Sequence, residues 1–109
     1  MQAVLESPKI AFIRPQSSLN AANALEFERD FTAALTQNDI SMLVVDLAAV
    51  ESLDSAGLMA LVSALKLAQS LGRRFRLCSV SPAIKIIFEL TQLDEVFERI
   101  EGTAQLPAV

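Results

Sequence analysis

The chain is organised around one hexapeptide, Leu53-Asp54-Ser55-Ala56-Gly57-Leu58. An apolar, β-branched run at residues 42–47 comes shortly before it, and a longer segment at 58–71 with apolar residues every three or four positions follows it. The first pattern is typical of a buried strand and the second of an amphipathic helix. The hexapeptide is therefore predicted to lie where a strand has ended and a helix begins.

Hydrophobic runs predict four or five strands in the whole chain. In chain order they lie at Val4 and Leu5, at residues 10–14, 42–47 and 75–80, and near Ile100. Because helical segments separate most of these runs, the central strands are expected to be parallel, with right-handed crossovers. The predicted fold class is α/β, a mixed four- to five-stranded sheet with helices packed on it.

Three helices are predicted between the strands. The first covers residues 21–37, with Asn20 as its N-cap. The second covers residues 56–71 and stops at Gly72, which is placed as a C′ residue. The third starts at Ser81, an N-cap followed by proline at the first helical position.

Composition and charge indicate one globular domain over residues 1–109, with 102–109 as a loose tail. The 109 residues are 52% hydrophobic and 20% charged, which is a globular balance. The net charge of −4, with nine scattered Lys and Arg, argues against nucleic-acid binding. Arg73 and Arg74 are interpreted as charges at a helix end. No signal peptide or membrane-length segment is found, and Cys78 is alone, so we expect a soluble cytoplasmic protein without membrane partners.

The residue types needed for catalysis are mostly missing. The chain has no histidine, and its one cysteine, Cys78, lies in an apolar run where a reactive thiolate is not expected. There is no P-loop or dinucleotide fingerprint. Asp46 and Asp54 could be taken as paired carboxylates, but a strand position and a turn position explain them more simply. We therefore expect no enzyme, no metal site and no cofactor.

Ser55 is the residue that stands out from this background. Capping alone would explain a serine before a helix, but Asp54 beside it offers another capping acceptor. Gly57 costs helix stability of roughly 1 kcal/mol relative to alanine, which favours a close backbone approach at this point. A phosphate is well tolerated at a helix N-terminus. Ser55 is thus a candidate phosphorylation switch on a protein-binding surface.

Two motifs resemble one protein family. The hexapeptide at residues 53–58 is similar to the phosphorylation loop of bacterial anti-sigma factor antagonists, the STAS-domain family. The segment at residues 80–93, which begins Val80-Ser81-Pro82, resembles the third-helix region of the same family. The two motifs occur in the family's order and spacing, and the order of elements matches along nearly the whole chain.

The resemblance implies a partner-switching cycle. In that cycle the unphosphorylated protein binds an anti-sigma factor, which releases its sigma factor and is itself a serine kinase that phosphorylates the residue corresponding to Ser55. A PP2C-type phosphatase reverses the reaction. The implied partner-binding residues surround this serine: Asn20, Asp54, Ser55, Ala56, Gly57, Leu58 and Met59.

Two positions depart from the family pattern, and one alternative function stays open. Asn20 stands where the family commonly has aspartate, so phosphorylation is expected to be altered although asparagine keeps the capping role. Met59 stands where a small glycine is common, so partner fit is expected to differ. The alternative is a constitutive STAS adaptor subunit of a larger complex, of the lipid-transport or stressosome type, which phosphorylation does not switch.

Overall fold

The computed structural model describes residues 9–37, 39–93 and the backbone of a strand at 98–100. Its strands are β1 (Lys9–Ile13), β2 (Ile40–Asp46), β3 (Arg74–Cys78) and β4 (Glu98–Ile100), and its helices are α1 (Ala24–Leu35), α2 (Ser55–Ser70) and α3 (Pro82–Leu90). The predicted strand at Val4 and Leu5 and the predicted tail at 102–109 lie outside the described residues.

The described strands form one sheet in the order β1-β2-β3-β4, and each neighbouring pair is parallel. This confirms the predicted α/β class and the parallel central strands. Each connection between neighbouring strands contains one helix, as parallel pairing requires. The carboxyl ends of β1, β2 and β3 therefore lie along one edge of the sheet.

The main core joins the three helices to one face of the sheet. Alternate apolar residues of β2 and β3 belong to it, including Leu43, Val45 and Leu77, together with helical residues such as Phe31 and Leu61. The alternate residues Met42, Val44 and Cys78 form a second buried cluster with Ile10 packed against it. Strand β2 is thus buried on both faces, which is why its sequence is continuously apolar instead of alternating.

Local signals placed the ends of α2 and α3 well. Gly72 adopts a φ of +69° after the last turn of α2, and the Arg73 amide donates to the Ala68 carbonyl at 2.8 Å. Glycine tolerates this left-handed conformation at a C′ position. At the start of α3 the Ser81 hydroxyl accepts a hydrogen bond from the Ile84 amide at 3.2 Å, so the predicted cap is confirmed.

The predicted start of α1 at Ala21, with Asn20 as its cap, is wrong. The helix begins at Ala24 with Asn23 at the N-cap position, and residues 21–23 form a separate turn. The Asn20 side chain does cap, but it caps this turn by accepting from the Ala22 amide at 2.9 Å. Asp54, on a distant loop, also holds this turn by accepting from the Ala21 amide at 3.1 Å.

The interpretation of Arg73 also needs a correction. Its guanidinium donates to the backbone carbonyls of Leu35 and Gln37, at the carboxyl end of α1. Arg73 therefore donates to the last carbonyl of α1 and to a carbonyl just beyond it, at the end of a different helix from the one that it follows in sequence. The Arg73 charge still lies beside the carboxyl end of a helix, but that helix is α1, and the contact links α1 to the turn that leads into β3.

Candidate functional site

The loop that carries the hexapeptide leaves the sheet at a buried carboxylate. Asp46, the last residue of β2, accepts hydrogen bonds from Arg14 Nε at 2.9 Å and Nη2 at 2.7 Å. Its other oxygen accepts from the Ala48 amide at 2.8 Å. The Asp46 side chain is 1% exposed and that of Arg14 is 51% exposed, so the pair joins the interior to the surface. Asp46 fixes the direction in which the chain leaves β2.

Two titratable groups at this edge have shifted pKa values. Burial acts to raise the pKa of Asp46, but the hydrogen bonds from Ala48, Arg14 and Ser79 outweigh it and hold this pKa below its usual range. Burial raises the pKa of the Cys78 thiol, and the Asp46 charge raises it further. A thiol of this kind stays protonated and is a poor nucleophile, as the sequence indicated.

The first turn of α2 is capped by Asp54 and not by Ser55. Asp54 has extended backbone geometry, and its Oδ1 accepts from the Gly57 amide at 2.9 Å. Its carbonyl oxygen accepts from the Leu58 amide at 2.9 Å, the first bond of the helix. Ser55 is the first helical residue and is exposed, and its hydroxyl makes no hydrogen bond within the part of the chain that the structure describes. The serine hydroxyl is therefore accessible from outside.

Gly57 is required by a contact inside the chain. A Cβ at this position would lie 2.4 Å from the Leu19 carbonyl oxygen and 2.6 Å from its carbonyl carbon. Both Gly57 and Leu19 are buried. The sequence indicated a close backbone approach here, and the group that approaches is the Leu19 backbone of the loop between β1 and α1.

That loop and the α2 loop are joined by backbone pairing. Leu19 and Leu53 form an isolated parallel bridge, in which the Leu19 amide donates to the Ser52 carbonyl and the Asp54 amide to the Leu19 carbonyl, each at 3.2 Å. The Ser52 amide also donates to the Ser18 hydroxyl at 3.1 Å. Because these bonds link residues more than thirty positions apart, the two loops form one structural unit.

The predicted site residues fall into three groups by exposure. Asp54, Ser55 and Met59 are exposed, and Met59 is 54% accessible despite its large apolar side chain. Three others are half-buried: Asn20, Ala56 and Leu58. Gly57 is buried, and it lies beneath this surface in contact with the Leu19 backbone. Asn20 reaches the site because the next residue, Ala21, donates its amide to Asp54 Oδ2 at 3.1 Å.

Sequence reasoning missed Ser18, Leu19 and Ala21, which hold the site together. Only Gly57 signalled them, since a glycine early in a helix indicates that another backbone lies close. Which backbone it was could not be read from the chain, because the contact joins two loops far apart in sequence. Backbone amides and carbonyls form most of these bonds, and they leave no residue-type signature.

A sequence model of the STAS domain matches residues 2–105. The chain belongs to the STAS domain family. The match spans both motifs that suggested the family, and the order of helices and strands agrees with it. The hexapeptide of this STAS domain thus lies at the carboxyl edge of its sheet, where the loop after β2 ends and the first turn of α2 begins.

Solved structures give the same fold. A candidate anti-sigma factor antagonist from Thermotoga maritima is 28% identical, with a TM-score of 0.80 over 87% of this chain and 81% of its own. SpoIIAA, an anti-sigma factor antagonist from Bacillus, is 15% identical, and the structure of its unphosphorylated form gives a TM-score of 0.72 over 92% of this chain and 87% of its own. The structure of SpoIIAA in its phosphorylated form is also similar. A sulfate transporter family protein from Wolinella succinogenes is 10% identical, with a TM-score of 0.79 over 92% and 84%.

Two further properties of the described residues bear on this STAS domain. Among residues 9–37 and 39–93, no three His, Cys, Asp or Glu side chains cluster in a way that could hold a metal ion. Within the same part of the chain, no helix combines the length and apolar character that crossing a membrane requires.

Proposed function

We propose that this STAS domain is a bacterial anti-sigma factor antagonist whose partner binding is switched off by phosphorylation of Ser55. The unphosphorylated form would bind, in the cytoplasm, an anti-sigma factor that is also a serine kinase, and so free a sigma factor for transcription. A PP2C-type phosphatase would restore binding. The observation that carries this proposal is the exposed Ser55 hydroxyl at the first residue of α2, beside an Asp54 that does the capping.

The position of Ser55 suits a kinase substrate in two ways. Its side chain is exposed, so a visiting active site can reach the oxygen. Phosphorylation would not remove a helix cap, because the Gly57 amide is held by Asp54. The domain would therefore stay folded in both states. The likeness to the Thermotoga protein, and the phosphorylated form of SpoIIAA, support the proposal.

The physical effect of the phosphate is a change of charge on a contact surface. A phosphoserine adds about −1.5 to −2 charges at neutral pH and three strong acceptor oxygens. Asp54 already contributes a negative charge next to it, so an interface that accommodates a neutral serine would have to desolvate a concentrated anionic patch. A loss of roughly 3 kcal/mol would weaken the complex more than a hundredfold.

Incubation with the cognate anti-sigma kinase and ATP, followed by phosphosite mapping, tests the modification. Wild type should gain a single phosphate on Ser55, and Ser55→Ala should gain none while still binding the anti-sigma factor. Phosphate that is retained by Ser55→Ala would show that another hydroxyl is the acceptor. Loss of binding in Ser55→Ala would show that the hydroxyl itself is needed for contact.

Calorimetry with Ser55→Asp tests the electrostatic switch. This variant should bind the anti-sigma factor at least about tenfold more weakly, since one added charge is a smaller change than phosphate. Ser63→Asp is the matched control, because Ser63 is exposed on the same helix roughly 12 Å further along its axis. Equal affinities for Ser55→Asp and Ser63→Asp would contradict a switch located at Ser55.

The second candidate is a constitutive STAS adaptor within a larger complex. The likeness in fold to the sulfate transporter family protein favours it, since the same fold occurs there. An adaptor of this kind would take up no phosphate from a kinase, and Ser55→Asp would leave its complex intact. The two experiments above therefore separate the candidates without further variants.

A further inference from the structure

Asp54 makes two hydrogen bonds that belong to different parts of the fold. Its Oδ1 accepts from the Gly57 amide at 2.9 Å, inside α2. Its Oδ2 accepts from the Ala21 amide at 3.1 Å, in the turn that precedes α1. Serine, threonine and asparagine serve as N-caps with one acceptor, but a carboxylate offers two acceptor oxygens on one short side chain. Capping alone therefore leaves the second bond unexplained.

The turn at residues 21–23 is held by this second bond and, within its own loop, by the Asn23 side chain, whose amide donates to the Ser18 carbonyl at 2.8 Å. Asn20 supports the turn from within, by accepting from the Ala22 amide. The backbone bridge between the two loops ends at Leu19, and beyond it the bond from Ala21 to Asp54 ties this turn to the α2 loop. Ala21 and Ala22 are both exposed, so the turn contributes surface directly beside Ser55.

We infer that Asp54 is a positioning residue that makes the turn at residues 21–23 part of the surface by which this chain binds its protein partner. The inference rests on the proposed function, since it names a second segment of the same binding surface. The partner then meets two segments at once, the first turn of α2 and the turn before α1. The Asp54 carboxylate fixes the position of these two segments relative to each other.

Asp54→Asn separates positioning from capping. The asparagine carbonyl oxygen can still accept from the Gly57 amide, and asparagine is a good N-cap. Its NH₂ group would face the Ala21 amide, donor against donor, so only the bond to the turn is lost. Hydrogen exchange at the Ala21 amide should accelerate at least about tenfold, with exchange at Gly57 little changed. Asp30→Asn, exposed on α1, is the control for removing one negative charge.

A double-mutant cycle tests whether the turn belongs to the binding surface. Ala22→Arg places a long side chain on the exposed turn without removing a side-chain hydrogen bond. Asp54→Asn and Ala22→Arg should each raise the dissociation constant for the anti-sigma factor about fivefold or more. Together they should raise it by clearly less than the product, because a displaced turn no longer presents residue 22 to the partner.

Each contrary outcome overturns a different step. Unchanged Ala21 exchange in Asp54→Asn would show that the carboxylate does not hold the turn. An unaltered affinity in Ala22→Arg would place the turn outside the binding surface, and effects that multiply would make Asp54 a direct contact and not a positioning residue. Absence of binding by wild type would refute the proposed function and this surface with it, whereas the exchange measurement needs no partner.

Discussion

Gly57→Ala is the substitution that most directly tests how the first turn of α2 packs against Leu19. The added methyl carbon would lie 2.4 Å from the Leu19 carbonyl oxygen and 2.7 Å from the Leu19 Cβ. The nearest obstructing atom belongs to backbone in a buried bridge, so no flexible side chain can rotate away. To reach an ordinary contact of about 3.5 Å, the two segments would have to separate by roughly 1 Å.

The magnitude follows from three opposing effects. Alanine is favoured over glycine within a helix by about 1 kcal/mol. Forcing a methyl group into a packed site costs about 1–3 kcal/mol. Separation by this distance would also break the hydrogen bond from the Asp54 amide to the Leu19 carbonyl, now 3.2 Å, which contributes about 1 kcal/mol. The net expectation is a destabilisation of about 2 kcal/mol, or a melting temperature lower by roughly 8 °C.

Thermal unfolding followed by circular dichroism, with amide exchange on the folded protein, measures both parts of this prediction. Gly72→Ala is the control: a Cβ there meets nothing within 4 Å, but φ is +69°, so it carries backbone strain without overlap. Both variants should melt earlier, and only Gly57→Ala should accelerate exchange at the Asp54 amide. A Gly57→Ala protein as stable as wild type would refute the reasoning that α2 is seated on Leu19.

Three other predictions concern residues away from Ser55. The pKa of Asp46 is lowered in the folded state, so its charge stabilises the fold above a pH of about 4. This contribution is lost as the pH falls through the folded pKa. The urea midpoints of wild type and Asp46→Asn should therefore converge in acid. Arg73→Ala should lower the free energy of unfolding by about 1–3 kcal/mol in urea titrations, since the Leu35 and Gln37 carbonyls lose a charged donor. The buried Cys78 thiol should react with a disulfide reagent only when denaturant unfolds the chain; rapid labelling of the native protein would contradict its placement.

Features that depend on neighbouring residues in sequence could be predicted. The strand at β2 followed from a continuous apolar run, and the start of α3 followed from a serine and a proline side by side. Gly72 marked the end of α2 because a left-handed residue is needed there. Each of these signals acts within a few residues, so the local sequence is enough to predict the feature.

Features that depend on distant partners could not be predicted. The cap of α1 was misplaced, and one of the bonds that hold the turn before it comes from Asp54, thirty-three positions away. Arg73 was assigned to the wrong helix because its guanidinium reaches carbonyls at Leu35 and Gln37. A long flexible side chain near a helix end has several carbonyls within reach, and the packing of the two helices decides among them.

The packing of α2 against Leu19 also determines which side chains lie on the outer face of the helix. With Gly57 turned inward against Leu19, the rotation of the helix about its axis is fixed. Residues four apart share a face of a helix, so Ser55 and Met59 must then point outward together, and both are exposed. The accessibility of the hydroxyl and the exposure of a large apolar side chain next to it thus have one cause, a glycine that allows two backbones to touch. Under the proposed function, a partner that reaches Ser55 would also meet Met59, an exposed apolar side chain on the same face of α2.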